Sequence, residues 1–348
     1  MGDVDCTVHS SEAVSWTRGV VILIVILDHY LMTRTSLPYR LGSNAFVSFF
    51  FLASGFGIWG SLNVVWRDDL LIRSALLFVW KRLKRIYPLY WLYVILHVRC
   101  NLQSISISDF MALKFTNPDF EWFVPSLVQC YLVAPLLFVA VRRLGEGKFL
   151  LIIIGLCLLL NVVAESAGIS PVRVWFFREV GMGHVFLFAI GLVLRSKLQS
   201  FRFLRVSVAF QVVMSGFFLC AVWIAYHDSG LPLLSARMAN VAVLLSSVAV
   251  FSSLLGRSWL PDWHGVIKRC GLYSYSLYLF HGSYLTGLAM AGVISARADD
   301  LRGLFAIMLF FPPFALLSAT LENVFSRKVN LARNWNWIKN SRVGRLRS

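Results

Sequence analysis

Apolar stretches about twenty residues long recur along the whole chain, and they limit what the chain can fold into. As an α-helix, a stretch of that length matches the hydrocarbon thickness of a bilayer. Of the 348 residues, 58% are hydrophobic and the mean hydropathy is +0.71. Soluble domains lie near half apolar. The sequence therefore predicts an all-α integral membrane protein, a bundle of about ten transmembrane helices with no appended soluble domain.

Ten stretches qualify as membrane helices. They cover residues 17–34, 44–63, 75–97, 120–140, 149–167, 181–195, 206–226, 234–255, 271–292 and 303–322. The third contains the basic run Lys81–Arg85, so its membrane part is expected to begin near Ile86. Lys and Arg are concentrated in alternate loops and in the tail 323–348, which has seven basic residues and no acidic one. By the positive-inside rule, both termini are predicted to be cytoplasmic.

This organisation divides the chain into three parts. Residues 1–15 form a cytoplasmic N-terminal tail, residues 16–322 a transmembrane domain, and residues 323–348 a basic cytoplasmic C-terminal tail. The net charge of +16 is explained better by the positive-inside rule than by nucleic-acid binding, which we do not expect. The six cysteines are scattered without CxxC spacing, so neither a zinc site nor a disulfide framework is predicted.

The first membrane helix carries an arginine and a histidine on one face. Arg18 and His29 are eleven positions apart, which corresponds to about three turns and about 16 Å along the axis. Ionisable groups at such depth are costly and usually functional, and a neutral imidazole can act as a general base. The alternative is a snorkelling arginine and a histidine that is only hydrogen-bonded in the bundle. Asp28 points about 100° away from His29 and has no assigned role.

A basic cluster lies at the start of the third membrane helix. Arg82 and Arg85 share a face at spacing i, i+3. Two guanidinium groups at a cytoplasmic helix end can hold phosphates bidentately. The alternative is ordinary anchoring at the membrane surface, which Lys81 and Lys84 fit well.

Small and aromatic residues define three further candidate faces. In the second helix Ser54, Gly57 and Gly60 recur at helical spacing, which favours a packing face. In the fourth, Trp122, Ser126 and Gln129 share a face; an intramembrane glutamine usually hydrogen-bonds to a neighbouring helix, and a tryptophan can equally belong to the interfacial belt. Near the C-terminus Ser274, Tyr278 and His281 form a stripe. His281 is expected at about the depth of His29, so the two are candidates to face one cavity.

These stretches occur in a definite order. The first helix has an arginine, ten residues and a histidine; the second has the segment from Phe50 to Phe56. A pattern R-x-x-R-I-x-P-x-Y follows at Arg82, Arg85, Ile86, Pro88 and Tyr90, and S-x-Y-L-x-H comes last, at Ser276, Tyr278, Leu279 and His281. In order and spacing, over about residues 14–322, the chain resembles the acyltransferase-3 family of membrane-bound acyltransferases.

The fourth helix departs from the pattern of many members of that family. Trp122, Tyr131 and Pro135 line up, but the usual acidic position falls at Leu127 or Val128. The stretch is more similar to the W-F-x-P variant of exopolysaccharide and sugar O-acetyltransferases. A carboxylate role in this helix is therefore not expected, and Gln129 is a candidate for that part of the site.

The resemblance implies an enzyme that transfers an acyl group, usually acetyl, from cytoplasmic acyl-CoA to a hydroxyl of a glycan or lipid-linked sugar. It implies a multi-pass protein of the bacterial inner (cell) membrane, with acetyl-CoA as co-substrate, no metal, and membrane lipids around it. His29, Arg18 and His281 are the expected catalytic residues, and Arg82, Arg85 and Arg18 the expected donor-binding residues. Ser54, Trp122, Gln129 and Tyr278 are candidates for substrate contacts or for stabilising the oxyanion.

Two other functional classes fit parts of the sequence. Ten helices with intramembrane His and Asp would suit a proton-coupled transporter of a small solute. That alternative does not explain the arginine pair or the ordered motifs. A non-catalytic protein of polyprenyl-glycan assembly is a third possibility.

Overall fold

A computed structural model shows a helical protein over the residues that it describes, 2–34, 43–66, 70–101, 123–166, 184–197, 213–217, 219–220, 246–255, 265–294 and 301–344. Its helices are α1 (Gly2–Arg34), α2 (Ser43–Val65), α3 (Leu71–Asn101), α4 (Phe123–Leu144), α5 (Glu146–Ser166), α6 (His184–Lys197), α7 (Ser246–Leu255), α8 (Val266–Leu272), α9 (Ser274–Met290) and α10 (Leu301–Gly344). No strand occurs among these residues.

The predicted helices match these elements at most positions. The first six each overlap one of α1 to α6, although α1 begins at Gly2 rather than near residue 17. The predicted ninth helix is divided by Tyr273 into the short α8 and the longer α9. Most of the predicted seventh helix, 206–226, lies outside the described residues.

Four described helices are long and apolar enough to cross a membrane. The segments are Glu12–Leu31, Phe46–Val65, Phe123–Leu144 and Gly303–Phe325. Two shorter apolar helices, α6 and α7, accompany them. The protein is therefore an all-helical integral membrane protein, while the count of ten spans and the cytoplasmic termini stay predictions.

Helix α3 runs without a break through its basic run. It extends from Leu71 to Asn101 and includes Pro88 in its interior. Arg82 and Arg85 are therefore held on a rigid helix rather than on a loop. This rigidity fixes where both guanidinium groups can reach.

Helices α2 and α6 approach each other closely through a reciprocal pair of glycines. A Cβ at Gly55 would collide with the carbonyl oxygen of Phe188, and a Cβ at Gly191 would collide with that of Leu52. Glycine is therefore required on both sides of this contact. Phe188 and Leu52 are themselves fully buried, so the contact lies in the core of the bundle.

Helices α1 and α8 are also in close contact through a reciprocal pair of glycines. Gly19 lies against the carbonyl of Ile267, and Gly271 lies against the carbonyl of Ser15, each too close for a side chain. The contact fixes α1 beside the start of α9. It therefore sets the position of Arg18 and His29 relative to the residues that follow Tyr273.

Among the described residues, the predicted packing face of α2 is wrong. None of them lies within 4 Å of where a Cβ at Gly57 or Gly60 would stand, and the glycine in close contact with another helix is Gly55. Ser54 and Gly57 line a cavity instead. Helical spacing identified a small-residue stripe, but the rotation of α2 against its neighbours depends on the complementary Gly191, which lies on another helix.

Candidate functional site

Two histidines from opposite ends of the chain meet inside the bundle. Nδ1 of His29 on α1 lies 2.5 Å from Nε2 of His281 on α9. The ring centroids are 4.8 Å apart and the ring planes are within 13° of parallel. With a nitrogen–nitrogen distance that short, the two nearly coplanar rings meet edge to edge through a hydrogen bond.

The direction of this hydrogen bond follows from the next one. Nδ1 of His281 lies 2.5 Å from the carbonyl oxygen of Tyr278. A carbonyl only accepts, so Nδ1 of His281 must donate. In a pair of neutral rings, Nε2 of His281 then has the lone pair and accepts from Nδ1 of His29. This assignment leaves the lone pair of His29 on Nε2.

The histidine pair is enclosed. His29 is 9% exposed and His281 is 1% exposed. The ring of Tyr278 lies 5.4 Å from that of His281 and 4.6 Å from that of Phe123. Asp28, the neighbour of His29 in sequence, is also buried.

A cavity of about 290 Å³ lies closer to the beginning of α1 than the histidine pair does, since Arg18 lines it and His29 does not. Its charged lining residues are Arg18, Arg82, Arg85 and Glu322. Its other polar lining residues are Ser54, Ser61, Tyr131, Ser274 and Tyr275. Three arginines against one glutamate make it an anion-attracting cavity. Residues from α1, α2, α3, α4, α9 and α10 therefore converge at one place.

Two of the three arginines are oriented by α2. Arg18 donates through Nη2 to the carbonyl oxygen of Ala53 at 3.1 Å. Arg82 donates through Nη2 to the hydroxyl oxygen of Ser61. The guanidinium group of Arg82 also lies 6.0 Å from the ring centroid of Tyr131. Since a guanidinium group has five N–H donors, each arginine keeps further donors for a ligand.

The third arginine is more accessible. The side chain of Arg85 is 59% exposed, and its Nη2 lies 3.9 Å from Oε1 of Glu322. In water-accessible surroundings such a pair contributes little to stability. Arg85 is thus available to an anion that enters from the open side of the cavity.

Glu322 belongs to this site although the sequence did not single it out. Its side chain is 10% exposed, and its Oε2 accepts hydrogen bonds from the backbone nitrogen and the hydroxyl of Ser276, at 3.3 and 2.8 Å. The signal was present, because Glu322 ends a long apolar stretch and intramembrane carboxylates are usually functional. Leu127, at one of the two positions where many acyltransferases have an acid, lines the same cavity.

The remaining candidates fall in different places. Ser54 lines the cavity, whereas Tyr278 is buried beside His281. Gln129 does not line the cavity, and its Nε2 is buried with no hydrogen-bond partner among the described residues. Trp122 lies outside the described residues. His184, which was not a predicted site residue, begins α6 and stacks on Phe51 with ring centroids 4.4 Å apart, a packing contact.

The cavity and the histidine pair are adjacent and are bounded in part by the same helices. Phe123 lines the cavity and contacts the ring of Tyr278, which flanks His281. Helix α9 supplies Ser274 and Tyr275 to the cavity and His281 to the pair. The seven positions from Ser274 to His281 correspond to about 10 Å. The geometry thus combines an arginine-lined cavity with a buried histidine pair about two helical turns away.

Comparison with known proteins identifies the fold family. The family model of acyltransferase-3, described as an acyltransferase domain, matches residues 11–324. The match includes both histidines and every cavity residue named above. No curated protein and no solved structure matches the chain significantly. Because the family model spans most of the sequence, the protein is a membrane acyltransferase that belongs to the acyltransferase-3 family.

Proposed function

We propose that the protein moves an acyl group, in the first instance acetyl, from cytoplasmic acyl-CoA to a hydroxyl of a glycan or lipid-linked sugar. The observation that carries this proposal is an arginine-lined cavity beside a buried histidine pair, with α1 and α9 contributing residues to both. Acyl-CoA is a polyanion with a reactive thioester at the far end of a flexible arm. It needs cationic groups at one end of its site and acid–base chemistry at the other.

The cavity is suited to the phosphates of the donor. Guanidinium groups bind phosphate oxygens through paired N–H donors, and Arg18, Arg82 and Arg85 offer three of them. A volume of about 290 Å³ accommodates part of a coenzyme A molecule. The remainder would extend through the side at which Arg85 is exposed.

His29 is suited to activate the acceptor. Its Nε2 would take the proton of a sugar hydroxyl while the hydroxyl oxygen attacks the thioester carbonyl. The carbon–sulfur bond then breaks, and the thiolate leaves and recovers the proton as coenzyme A. In the alternative, Nε2 attacks the thioester carbonyl, the carbon–sulfur bond breaks and the thiolate leaves. The sugar hydroxyl then takes the acyl group from the ring, and its proton passes to the thiolate. Either route requires the lone pair on Nε2.

The developing oxyanion needs a hydrogen-bond donor. Two of the predicted candidates remain for this role: Ser54 lines the cavity together with Arg18 and Phe123, and Tyr278 lies beside His281. Gln129 is less suited, since it does not line the cavity.

The loop charges support a cytoplasmic position for the arginine cavity, ten membrane helices in the domain 16–322, and cytoplasmic tails on both sides of it. Arg18 then lies near the cytoplasmic mouth and His29 beyond the midplane. The acceptor would reach the histidine from the outer side of a bacterial inner membrane. Surface glycans, including exopolysaccharide, are the acceptors that this topology favours.

A single assay distinguishes an acyltransferase from a transporter. Membranes that contain the protein should release coenzyme A from labelled acetyl-CoA when a glycan acceptor is supplied, and the label should appear on the glycan. Proton-coupled uptake of a solute without release of coenzyme A from any acceptor would contradict the proposed function. Analysis of acyl substituents on surface glycans, with and without the gene, would then identify the acceptor.

A further inference from the structure

We infer that Glu322 is a positioning residue that connects the donor cavity to the histidine pair: one carboxylate oxygen holds the start of the helix that carries His281, and the other faces the cavity arginines. This inference rests on the proposed function for its kinetic consequences. Its structural part depends only on contacts around Ser276.

Helix α9 has no cap of its own at its beginning. The preceding residue, Tyr273, makes no side-chain capping hydrogen bond. The first backbone N–H groups of a helix have no partner within the helix and require one from outside. Glu322 supplies it from α10, because its Oε2 lies 3.3 Å from the nitrogen of Ser276. A carboxylate at this end is also favoured by the helix dipole.

The hydroxyl of Ser276 strengthens this anchor. Its oxygen lies 2.8 Å from Oε2 of Glu322 and 2.9 Å from the carbonyl oxygen of Tyr273. A single proton is therefore shared between the two acceptors. Both contacts tie the first turn of α9 to its surroundings at the point where the chain leaves α8.

The anchor acts on His281 through a rigid element. Five positions separate Ser276 from His281, about 7.5 Å along the axis. His281 must lie within hydrogen-bonding distance of His29, and the 2.5 Å contact leaves no room for a shifted helix. Helical hydrogen bonds continue across Tyr273, from its N–H to Arg269 and from the N–H of Leu277 to its carbonyl, although Tyr273 itself departs from helical conformation. Glu322 adds an anchor from α10 at this interruption.

The second carboxylate oxygen has a different role. Oε1 lies 3.9 Å from Nη2 of Arg85 and belongs to a cavity that also contains Arg18 and Arg82. An ionised carboxylate there offsets part of the positive charge that attracts an anionic donor. Removing the negative charge of Glu322 should therefore strengthen binding of the anionic donor. Removing its hydrogen-bond acceptor should loosen the anchoring of α9. These two consequences can be separated by mutation.

Glu322→Gln keeps an oxygen that accepts from Ser276 but removes the charge, whereas Glu322→Ala removes both. We expect Glu322→Gln to lower the KM for acyl-CoA by about threefold or more and to change kcat by less than about threefold. We expect Glu322→Ala to lower kcat at least tenfold, because small misplacements of reacting groups are costly. Thr320→Val is the matched control, since Thr320 is exposed and its hydroxyl donates to the carbonyl oxygen of Leu316 in its own helix.

Hydrogen exchange gives a readout that does not depend on activity. Glu322→Ala should increase deuterium uptake in the first turn of α9, while Glu322→Gln and Thr320→Val should leave it at the level of the unmutated protein. Equal uptake in all four proteins would overturn the positioning role. In an active enzyme, equal kcat losses for Gln and Ala, or an unchanged KM in the Gln variant, would overturn the divided role of the carboxylate. If the unmutated protein transfers no acyl group, the proposed function fails, and exchange still decides the structural part.

Discussion

Nδ1 of His29 lies 2.5 Å from Nε2 of His281, although the two residues are 252 positions apart in the chain. The carbonyl of Tyr278 fixes the proton on Nδ1 of His281 and, through it, the proton on Nδ1 of His29. The pair therefore works as an oriented unit in which the second ring determines which nitrogen of the first is basic. The following predictions depend on that orientation and on the arginine cavity beside it.

The tautomers can be observed directly. Both rings should have a proton on Nδ1 and a lone pair on Nε2 when neutral, because the chain of hydrogen bonds ends at a carbonyl oxygen. Nitrogen-15 NMR of histidine-labelled protein distinguishes the two tautomers, and the signals can be assigned from variants at each position. A proton on Nε2 of either ring would contradict the proposed orientation.

His281 should be replaceable in part by an amide. In His281→Gln the side-chain oxygen can accept from His29 and the NH₂ group can donate to Tyr278, whereas His281→Leu can do neither. We expect kcat of the Gln variant to exceed that of the Leu variant at least tenfold, within the contribution of about 10²–10⁴ that acid–base catalysis makes. Steady-state kinetics on comparable amounts of inserted protein measure this. Equal losses would mean that His281 is needed for packing alone.

Arg82 should act on the donor rather than on the chemical step. Arg82→Ala removes a guanidinium group that is oriented into the cavity by Ser61. We expect the KM for acyl-CoA to rise about tenfold, with kcat changed much less, since a hydrogen bond to a charged group is worth about 1.5–3 kcal/mol.

Lys81 provides the control for Arg82. It precedes Arg82 in the same helix, is exposed, and does not line the cavity. Lys81→Ala should leave the KM for acyl-CoA unchanged. If the KM is unaffected in Arg82→Ala, or raised equally in both variants, Arg82 does not bind the donor specifically. Its role would then be to anchor the helix at the membrane surface.

Gly271 should be essential for stability, unlike a helical glycine such as Gly287 that makes no close contact with another helix. A Cβ at this position would collide with the carbonyl of Ser15 and force α1 and α8 apart; such overpacking costs about 1–3 kcal/mol. No described residue lies within 4 Å of where a Cβ at Gly287 would stand. Alanine there should be neutral or favourable, because a helix favours alanine over glycine by about 1 kcal/mol. In detergent, Gly271→Ala should melt at a lower temperature than the unmutated protein and Gly287→Ala should not. The same Tm for both variants would contradict the close contact.

The sequence predicted much of this arrangement because its signals are local. Hydrophobic length located the helices, helical spacing placed Arg18 and His29 on one face, and the depth of His281 suggested that it lay near His29. Each of these inferences uses only the rise and rotation of a helix. The same arithmetic placed Arg82 and Arg85 together, and the structure joins them to Arg18 in one cavity.

What the sequence missed depends on contacts between helices. The packing face of α2 was assigned to Gly57 and Gly60, but the rotation of α2 is set by the matching Gly191 on α6. Gln129 was expected near the site, yet it does not line the cavity. Glu322 was not among the predicted site residues, because its hydrogen bonds with Ser276 depend on the approach of α9.

The most direct test of the account is acyl transfer by the His29→Ala protein. Labelled acetyl-CoA and a glycan acceptor would be supplied to membranes that contain equal amounts of the unmutated and variant proteins, and the label on the glycan would be counted. Because the lone pair of Nε2 is required by both routes, transfer should fall at least about 100-fold while the variant stays inserted and abundant. Full transfer by His29→Ala would contradict the central role of His29.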